Sequence, residues 1–339
     1  MTTAQPSMTG QVPEEQLVQL FRRAMLIRRV EEAATTLAGG EVDGVSHYYF
    51  GQEVTAVGAT AALEPGDWMY TTHRNRGHVL ARGGDLFKVL SELLGKETGY
   101  SKGKGGNLHI AAPDLHIPLA SAMLGGSLPL AVGTAMGAKL EGTKRVVLSF
   151  MGDGTLSEGI FYEAINLAVL WQVPVIFLCE NNSGTPSNLR GSGLVTTDIA
   201  AQVATFNLTS SVVDGGDLEA VRGVVSEMVD RGRTTSAPSF IEARMSKAPL
   251  TQSTKPGYPA PPLDVSEAWL PNPNHPLPEW RDADSLLKLA RTLLDRGALN
   301  QESLRTLDSD VRAEVNQALA KARAAAFPPA EAALEDVYA

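Results

Sequence analysis

The sequence is poor in the features that mark several classes of protein. It has a single cysteine, Cys179, among 339 residues, which excludes a disulfide scaffold and a zinc site built from cysteines. Acidic residues outnumber basic ones by 38 to 29, for a net charge of −9, which argues against a nucleic-acid reader with a basic face. The longest apolar stretch, Leu167 to Cys179, is interrupted by Gln172 and Pro174, so it is too short to span a bilayer.

A secretory signal pattern of basic and then apolar residues is also missing between Met1 and Gln16. These absences predict a cytoplasmic globular protein without a membrane segment. Hydrophobic residues make up 43% and charged residues 20% of the chain, as in ordinary folded domains. At roughly 150 residues per domain, the length predicts about two domains, or one large α/β unit with an appendage.

Composition divides the chain into four segments. Residues 1–13 are polar and contain Pro and Gly, which predicts a flexible arm, and residues 14–248 alternate strand and helix patterns. Residues 249–280 are rich in proline and predict an extended connection, and residues 281–339 predict a C-terminal helical extension. Within the second segment, the Gly- and Lys-rich stretch from Gly99 to Gly106 predicts a loop with nothing to bury.

The alternation of buried strands and helices indicates the fold class. The apolar runs Arg145–Met151 and Val173–Cys179 flank a helical pattern over Gly159–Trp171. Strands without polar alternation are buried on both faces, and alternating strands and helices favour a parallel sheet. We therefore predict an α/β protein with a mostly parallel sheet and helices on both faces, an N-terminal helix over Glu14–Ala38 and a C-terminal helical extension.

Polar residues follow these two buried strands. Gly152-Asp153-Gly154 ends the first strand, and Glu180-Asn181-Asn182 ends the second. Because such strands are parallel and often adjacent, Asp153 and Asn182 are expected at the same carboxyl edge, where open sheets bind ligands. Their side-chain oxygens suit Mg²⁺, and the flanking glycines allow the backbone to approach a phosphate closely.

Each motif alone is weak evidence. Gly-Asp-Gly is usually only a turn, and two asparagines after a strand are usually only a loop. A dinucleotide-binding loop is excluded because Ser157 occupies the position of its third glycine, and no Walker-type loop is present. The combination on consecutive strand ends nevertheless favours a divalent cation and a diphosphate.

The two motifs together resemble the thiamine-diphosphate-binding motif, which opens with Gly-Asp-Gly and closes with Asn-Asn. Other segments are similar, in the same order, to the alpha subunit of the first component of 2-oxo acid dehydrogenase complexes, in its pyruvate and acetoin branches. These segments are His47–Glu53, Thr72–His78, Lys102–His109, Gly125–Gly133, Phe161–Ala168 and Asp336–Ala339. The resemblance implies a thiamine-diphosphate-binding fold, with thiamine diphosphate and Mg²⁺ as cofactors.

The resemblance also implies roles around the diphosphate end of the cofactor. Asp153 and Asn182 would bind Mg²⁺, with the backbone carbonyl of Gly184 as the third protein ligand. Gly154 and Thr155 would donate backbone N–H groups to the diphosphate. A second set of positions would meet the rest of the cofactor and the substrate.

In that second set, Arg74 matches the arginine that contacts the diphosphate, and His73 stands beside it where some members have tyrosine. Ala122 and Leu124 match positions that meet the aminopyrimidine, and Leu124 would help to bend the cofactor. His47 matches a histidine that faces the substrate and is the predicted catalytic residue. The alternative for His47 is a surface histidine in a loop.

One loop departs from the family pattern. The family follows its last strand with Arg-Tyr-His-Gly-His-Ser, whereas this chain has Ser246-Lys247-Ala248-Pro249. Lys247 falls where the arginine belongs and would pair with a phosphate as a point charge, but the histidines are absent. A positioned histidine contributes ~100- to 10,000-fold to proton transfer, so its loss leaves three possibilities. They are a histidine from a partner, a different reaction such as that of transketolases, or a largely structural subunit.

The resemblance implies half of an active site. A beta subunit would supply the glutamate that activates the cofactor, in an α₂β₂ heterotetramer. The expected reaction forms a two-carbon carbanion-enamine from a 2-oxo acid or acetoin-like donor and passes it to the thiol of a lipoyl domain or an acyl carrier protein. A transketolase-like transfer from a ketose phosphate to a carrier protein and a non-catalytic scaffold subunit are the alternatives. No nucleic-acid partner is expected.

Overall fold

A single parallel sheet forms the centre of the molecule. The computed structural model describes residues 12–42, 47–182, 198–245 and 283–336. The strands in these ranges are β1 (Trp68–Thr72), β2 (Ala120–Ser121), β3 (Val147–Gly152), β4 (Val175–Asn181), β5 (Thr209–Asp214) and β6 (Ser239–Arg244). Their order is β2-β1-β3-β4-β6-β5, and every neighbouring pair is parallel. The predicted parallel α/β architecture is confirmed.

Ten α-helices surround the sheet within the described ranges. They are α1 (Glu14–Leu37), α2 (Glu53–Thr60), α3 (Asn75–Ala81), α4 (Leu86–Leu93), α5 (Leu128–Leu140), α6 (Gly159–Trp171), α7 (Ile199–Ala204), α8 (Leu218–Thr235), α9 (Ser285–Asp295) and α10 (Gln301–Ala324). None of them is both long enough and apolar enough to cross a membrane.

The central strands divide their side chains between two hydrophobic cores. Leu148 and Phe150 of β3 belong to the core shared with α1 to α4 and α8 to α10. Val147 and Met151 of the same strand belong to the core shared with α5, α6 and α7. Every residue of β4 is buried, because helices cover both of its faces. The prediction of helices on both sides of the sheet is confirmed.

Two buried arginines of α1 join the C-terminal helices to the rest of the fold. Arg28 pairs with Glu53 of α2 and, at 2.9 Å, with Asp284, which caps α9. Arg29 donates from Nε to Asp308 of α10 at 2.8 Å. Buried charges are tolerated only when they are paired, and these pairs connect helices that share one core. The N-terminal helix and the C-terminal helical extension are therefore confirmed.

Some elements were not predicted from the sequence. Helix α3 is buried along its whole length, including its polar residues Asn75, Arg76 and His78, so it has no amphipathic pattern. Strand β2 has only two residues, which is too short for a pattern of any kind. The proline-rich connection over residues 249–280 lies outside the described residues, and the division of the chain into four segments stays a prediction.

The Gly99–Gly106 loop buries a charge, contrary to the expectation that it has nothing to bury. The side chain of Glu92, on α4, is fully buried beneath it. Its carboxylate accepts four backbone N–H groups at 2.7–3.0 Å. The donors are the N–H groups of Ser101, Gly103, Gly105 and Gly106. The loop is thus organised around a carboxylate on a neighbouring helix, which local sequence patterns do not reveal.

Candidate functional site

A cleft opens at the carboxyl ends of the central strands. Such edges bind ligands in open parallel sheets because strand tips and the loops after them meet there. Residues at the ends of four strands line the cleft. They are Thr72–Arg74 at the end of β1, Ser121, Met123–Gly125, Ser127 and Leu128 at and after the end of β2, Phe150–Thr155 at the end of β3, and Glu180 and Asn182 at the end of β4.

Asp153 and Asn182 both line this cleft. Gly152 lies opposite Glu180 in the ladder between β3 and β4, so the two ligand candidates follow neighbouring strand tips. Asp153 is 5% exposed, which leaves its carboxylate close to the cleft and largely shielded from bulk water. The structure therefore brings these two residues together, and their role as cation ligands stays a prediction.

Gln52 orients the side chain of Asn182. The Nδ2 of Asn182 donates to the Oε1 of Gln52 at 3.3 Å, and Gln52 itself is buried. Because the amide nitrogen faces Gln52, the carbonyl oxygen of Asn182 lies at the other edge of the planar amide group. Sequence reasoning did not assign Gln52 a role, although it lies in the His47–Glu53 segment.

The glycines around Asp153 leave space at the cleft. A Cβ built on Gly152 has no heavy atom within 4 Å in the described part of the chain, and one built on Gly154 meets only Leu124 Cδ1, at 3.8 Å. A short 3₁₀-helix over Asp153–Ser157 follows, in which Thr155 is buried. Neither glycine is required by packing inside the described fold, so both leave room for a ligand against the backbone.

The oxygen ligands and the open backbone at this cleft fit a magnesium-bound diphosphate. Asp153 and Asn182 contribute hard oxygens, and the open backbone at Gly154 can approach phosphate oxygens. Within the described residues, no three His, Cys, Asp or Glu side chains are grouped so that they could hold a metal. A cation here would take its other ligands from a substrate or cofactor, which is how Mg²⁺ is usually held.

Arg74 and His73 form another wall of the cleft. The Nη1 of Arg74 donates to the backbone carbonyl of Tyr48. Burial lowers the pKa of the Arg74 guanidinium, and the negative charges of Glu180 and Glu31 oppose that shift. Burial, followed by the charge of Arg74, lowers the pKa of His73 to about 3. Among the described residues that line the cleft, Arg74 therefore contributes a cation and His73 a neutral imidazole at pH 7.

His47 lies beside His73 rather than in an exposed loop. The two rings are T-shaped with their centroids 4.4 Å apart. Burial, followed by the charges of Arg74 and Arg76, lowers the pKa of His47 below its ordinary value of 6.5. His47 is therefore neutral at pH 7, as a group that accepts a proton or donates a neutral hydrogen bond must be. Its catalytic role stays a prediction.

The segment after β2 carries the positions matched to the aminopyrimidine. Leu124 lines the cleft, is 42% exposed and approaches Gly154. Ala122 is not among the lining residues, but its neighbours Ser121 and Met123 are. Met123 is 74% exposed. This wall of the cleft is therefore apolar and open on its outer side.

Glu180 is a cleft residue that sequence reasoning missed. Glu180 lines the cleft, and its buried carboxylate accepts a hydrogen bond from the Tyr49 hydroxyl. The Nε2 of His78 lies 3.2 Å from the same carboxylate. A charged residue at the end of an otherwise apolar strand was a signal that could have identified Glu180. The positions of Tyr49 and His78 beneath it carried no such signal.

Comparison with known proteins agrees with this architecture. A family model described as "Dehydrogenase E1 component" matches residues 22–248. The chain belongs to the dehydrogenase E1 component family. The resemblance to the alpha subunit of the first component of 2-oxo acid dehydrogenase complexes, which was based on sequence motifs, is therefore confirmed.

Relatives from the E1 family align with two thirds or more of this chain. The alpha subunit of acetoin:2,6-dichlorophenolindophenol oxidoreductase from Cupriavidus necator is 33% identical over 99% of this chain and 98% of that subunit. The protein of the same name from Bacillus subtilis is 39% identical over 68% of this chain and 69% of its own length. The pyruvate dehydrogenase E1 component subunit alpha from Zymomonas mobilis is 33% identical over 94% of this chain and 87% of its own length.

Membership of the E1 family makes this chain a component of a thiamine-diphosphate-dependent enzyme. The prediction that it is an enzyme subunit is confirmed. Two residues assigned from the family resemblance, Gly184 as a metal ligand and Lys247 as a phosphate partner, lie outside the described residues. Their roles stay predictions.

Proposed function

We propose that this chain is the alpha subunit of a thiamine-diphosphate- and Mg²⁺-dependent enzyme. It would act on a 2-oxo acid or an acetoin-like donor and pass a two-carbon unit to the thiol of a lipoyl domain or a carrier protein. The observation that carries this proposal is the meeting of Asp153 and Asn182 at one cleft, beside glycines that leave the backbone open.

The residues of the cleft divide the work of holding the cofactor. Asp153, Asn182 and the carbonyl of Gly184 would hold Mg²⁺, and the N–H groups of Gly154 and Thr155 would bind the diphosphate. Arg74 and Lys247 would add positive charge, which strengthens hydrogen bonds to phosphate oxygens. His73 would contact the same end of the cofactor as a neutral imidazole. When bound, thiamine diphosphate supplies the electron sink for the reaction, and the protein supplies orientation and a site with little water.

A beta subunit would complete the site from the open side of the cleft. Ala122 and Leu124 would contact the aminopyrimidine, and exposed Met123 extends the same apolar wall. Large exposed apolar side chains beside a ligand cleft are typical of surfaces that a partner covers. We propose that the partner supplies the activating glutamate and that the assembly is an α₂β₂ heterotetramer.

His47 would handle a proton near the substrate. It is neutral at pH 7 because it is half-buried between His73 and two arginines. This matters because the chain has no histidine between His116 and His275, so the usual histidine loop after the last strand is missing. The same departure is the observation that supports a second candidate, transfer from a ketose phosphate to a carrier protein, in which Lys247 would bind the substrate phosphate.

The proposal is tested on the full chain assembled with its beta subunit. Titration with thiamine diphosphate in a calorimeter should show binding with Mg²⁺ and a large loss of affinity after chelation of the metal. Pyruvate, acetoin and xylulose 5-phosphate are then supplied in turn, and turnover of pyruvate or acetoin supports the first candidate. Turnover of xylulose 5-phosphate alone supports the second. Absence of cofactor binding would leave only a scaffold role, and robust turnover by the isolated chain would refute the shared site.

A further inference from the structure

Three buried side chains form a closed hydrogen-bonded cluster at the base of the cleft. The Tyr49 hydroxyl donates to Glu180 and lies 3.1 Å from the Nε2 of His78. That nitrogen is also 3.2 Å from the Oε2 of Glu180. Tyr49 and His78 are fully buried and Glu180 nearly so. Hydrogen bonds in a buried network are electrostatically stronger than in water, so the contacts with Tyr49 and His78 hold the Glu180 carboxylate in one direction.

Packing holds the rings of this cluster in place. A Cβ added to Gly77 on α3 would overlap the ring of Tyr49, so the ring lies directly against the helix backbone. The His78 ring stacks on Phe150 with centroids 4.0 Å apart. Its Nδ1 finds no hydrogen-bond partner among the residues that the structure describes. A buried polar atom without a partner is costly, which indicates that the position of His78 meets a requirement beyond packing.

The cluster is connected to Arg74 in two ways. The backbone carbonyl of Tyr48, the residue before Tyr49, accepts a hydrogen bond from the Arg74 guanidinium. Glu180 lines the same cleft as Arg74, and its negative charge favours the charged form of that guanidinium. Arg74 thus lies in the electric field of a carboxylate that Tyr49 and His78 hold by hydrogen bonds.

The cluster also reaches both strand tips that carry the cation ligands. The backbone N–H of Asn182 donates to the carbonyl of Glu180 at 3.1 Å. In the ladder, Glu180 lies opposite Gly152, the residue before Asp153. A displacement of Glu180 would therefore be transmitted to the tip of β4 and to its neighbour β3.

We infer that Tyr49, His78 and Glu180 are positioning residues that hold Arg74 and the tip of β4 in the arrangement that receives a diphosphate. This inference rests on the proposed function. It also accounts for a carboxylate beside a cleft built for an anion: Tyr49 and His78 hold Glu180 by hydrogen bonds, and its charge favours the charged form of Arg74.

The first test removes one hydroxyl group. In the full chain assembled with its beta subunit, Tyr49→Phe should weaken binding of thiamine diphosphate about tenfold, since a hydrogen bond to a charged group is lost. The matched control is Tyr70→Phe, on β1. It removes a hydroxyl that lies 2.7 Å from the hydroxyl of Thr134. This control should lower the unfolding temperature about as much as Tyr49→Phe does. It should change the dissociation constant for thiamine diphosphate by less than about twofold.

The second test asks whether a substitution of Glu180 strengthens or weakens the binding of thiamine diphosphate. Glu180→Gln keeps the shape of the side chain and removes an anion beside the diphosphate site. If Glu180 only repels the ligand, this variant binds thiamine diphosphate more tightly. If Glu180 positions Arg74, it binds more weakly, by about tenfold, and saturating cofactor restores turnover. Because Glu180→Gln is isosteric, it also decides the matter if Tyr49→Phe fails to fold.

Three results are decisive. Weaker binding by both variants, with the Tyr70→Phe control unchanged, supports the inference. Unchanged or tighter binding by Glu180→Gln overturns it, as does a loss of stability in Tyr49→Phe without a loss of affinity. If the wild-type complex does not bind thiamine diphosphate with Mg²⁺, the proposed function itself has failed, and this outcome is seen before any variant is made.

Discussion

Two glycine-rich loops of this molecule use glycine for different reasons. In the Gly99–Gly106 loop, a Cβ on Gly105 would overlap the backbone carbonyl of His109, and the loop N–H groups converge on the buried carboxylate of Glu92. In the loop after β3, a Cβ on Gly152 would meet no atom within 4 Å in the described part of the chain. The first loop is filled by the protein, and the second is left open.

The difference separates a loop that the protein itself fills from a strand end that stays open in the described part of the chain. Gly152 has φ −92° and ψ 163°, an extended conformation that any residue adopts, so neither its backbone nor its packing requires glycine. Within the described residues, what Gly152 leaves is open space at the cleft. Gly105, by contrast, is explained fully by its neighbours. A glycine without an internal reason is therefore better evidence of a ligand than a glycine-rich composition.

The largest effect is expected from removing the carboxylate of the filled loop. Glu92→Ala leaves four backbone N–H groups without their acceptor and should lower the free energy of unfolding by about 3–5 kcal/mol. Denaturant unfolding measures this change. Exposed Glu97, on the same segment, is the control, and Glu97→Ala should change stability by less than about 0.5 kcal/mol. A loss under about 1 kcal/mol for Glu92→Ala would show that the loop does not depend on this carboxylate.

In the open loop, the corresponding change should affect binding rather than folding. Asp153→Ala removes the proposed anionic ligand of Mg²⁺ and should weaken binding of thiamine diphosphate at least about 100-fold, as expected when one member of a buried charge pair is lost. Denaturant unfolding of the same variant without cofactor measures separately any effect on the fold. Calorimetry of the assembled complex measures the affinity.

The control for Asp153→Ala is Asp214→Ala, since Asp214 also ends a parallel strand, at the far edge of the sheet. It should bind the cofactor like the wild type. Equal affinities for the Asp153 and Asp214 variants would contradict the proposed cation site.

A matched pair of alanine substitutions tests the comparison directly. Gly105→Ala forces a backbone overlap and should destabilise the protein by about 1–3 kcal/mol. Gly152→Ala should change stability by less than about 0.5 kcal/mol but weaken binding of thiamine diphosphate. Thermal unfolding and calorimetry on the same two proteins separate the effects. If Gly152→Ala is the more destabilising of the two, the distinction between filled and open loops is wrong.

The smallest expected effect is a pH dependence of the free energy of unfolding, and it comes from His73, beside the open loop. The pKa of His73 is about 3 in the fold, against about 6.5 in an unfolded chain. The unfolded state therefore binds a proton below pH 6.5 that the folded state does not. The contribution of neutral His73 to the free energy of unfolding is complete above pH 6.5, and it is lost as the pH falls toward the folded pKa. Between pH 6.5 and 5 the cofactor-free protein should lose about 1–2 kcal/mol from this group.

Removing the imidazole should remove that part of the acid sensitivity. His73→Gln should give a flatter stability profile between pH 6.5 and 5, measured by denaturant unfolding at each pH. The stability of the wild type relative to the variant should fall as the pH falls. Parallel profiles would show that His73 accepts a proton in the folded state as readily as in the unfolded one.

Much of the fold could be predicted because it depends on local patterns. The apolar runs of β3 and β4 and the 13 residues of α6 between them carry their own periodicity, and the handedness of the connection determines that their tips meet at one edge. Helix α3 could not be predicted in this way. Its polar residues are buried by contacts with distant segments, such as the paired hydrogen bonds of Arg76 to Glu31.

The residues of the site also fall into those that local patterns predict and those that depend on tertiary packing. Asp153 and Asn182 follow strand ends, so topology alone predicts that they meet. Gln52 and Glu180 were missed because their roles depend on which side chain faces them, and this depends on how α3 and the strands pack. His47 acquired a partner, His73, that no spacing in the sequence specifies.

The amino-acid sequence by itself determined the order of strands and helices, the family and the residues at the strand tips, because these follow from periodicity, chain connectivity and short motifs. Only the tertiary structure decided which glycines leave open space, which imidazoles are neutral and which carboxylate lies beneath the cleft. These properties are set by atoms brought together from distant parts of the chain, since burial and electric fields depend on distance in space and not on separation in sequence.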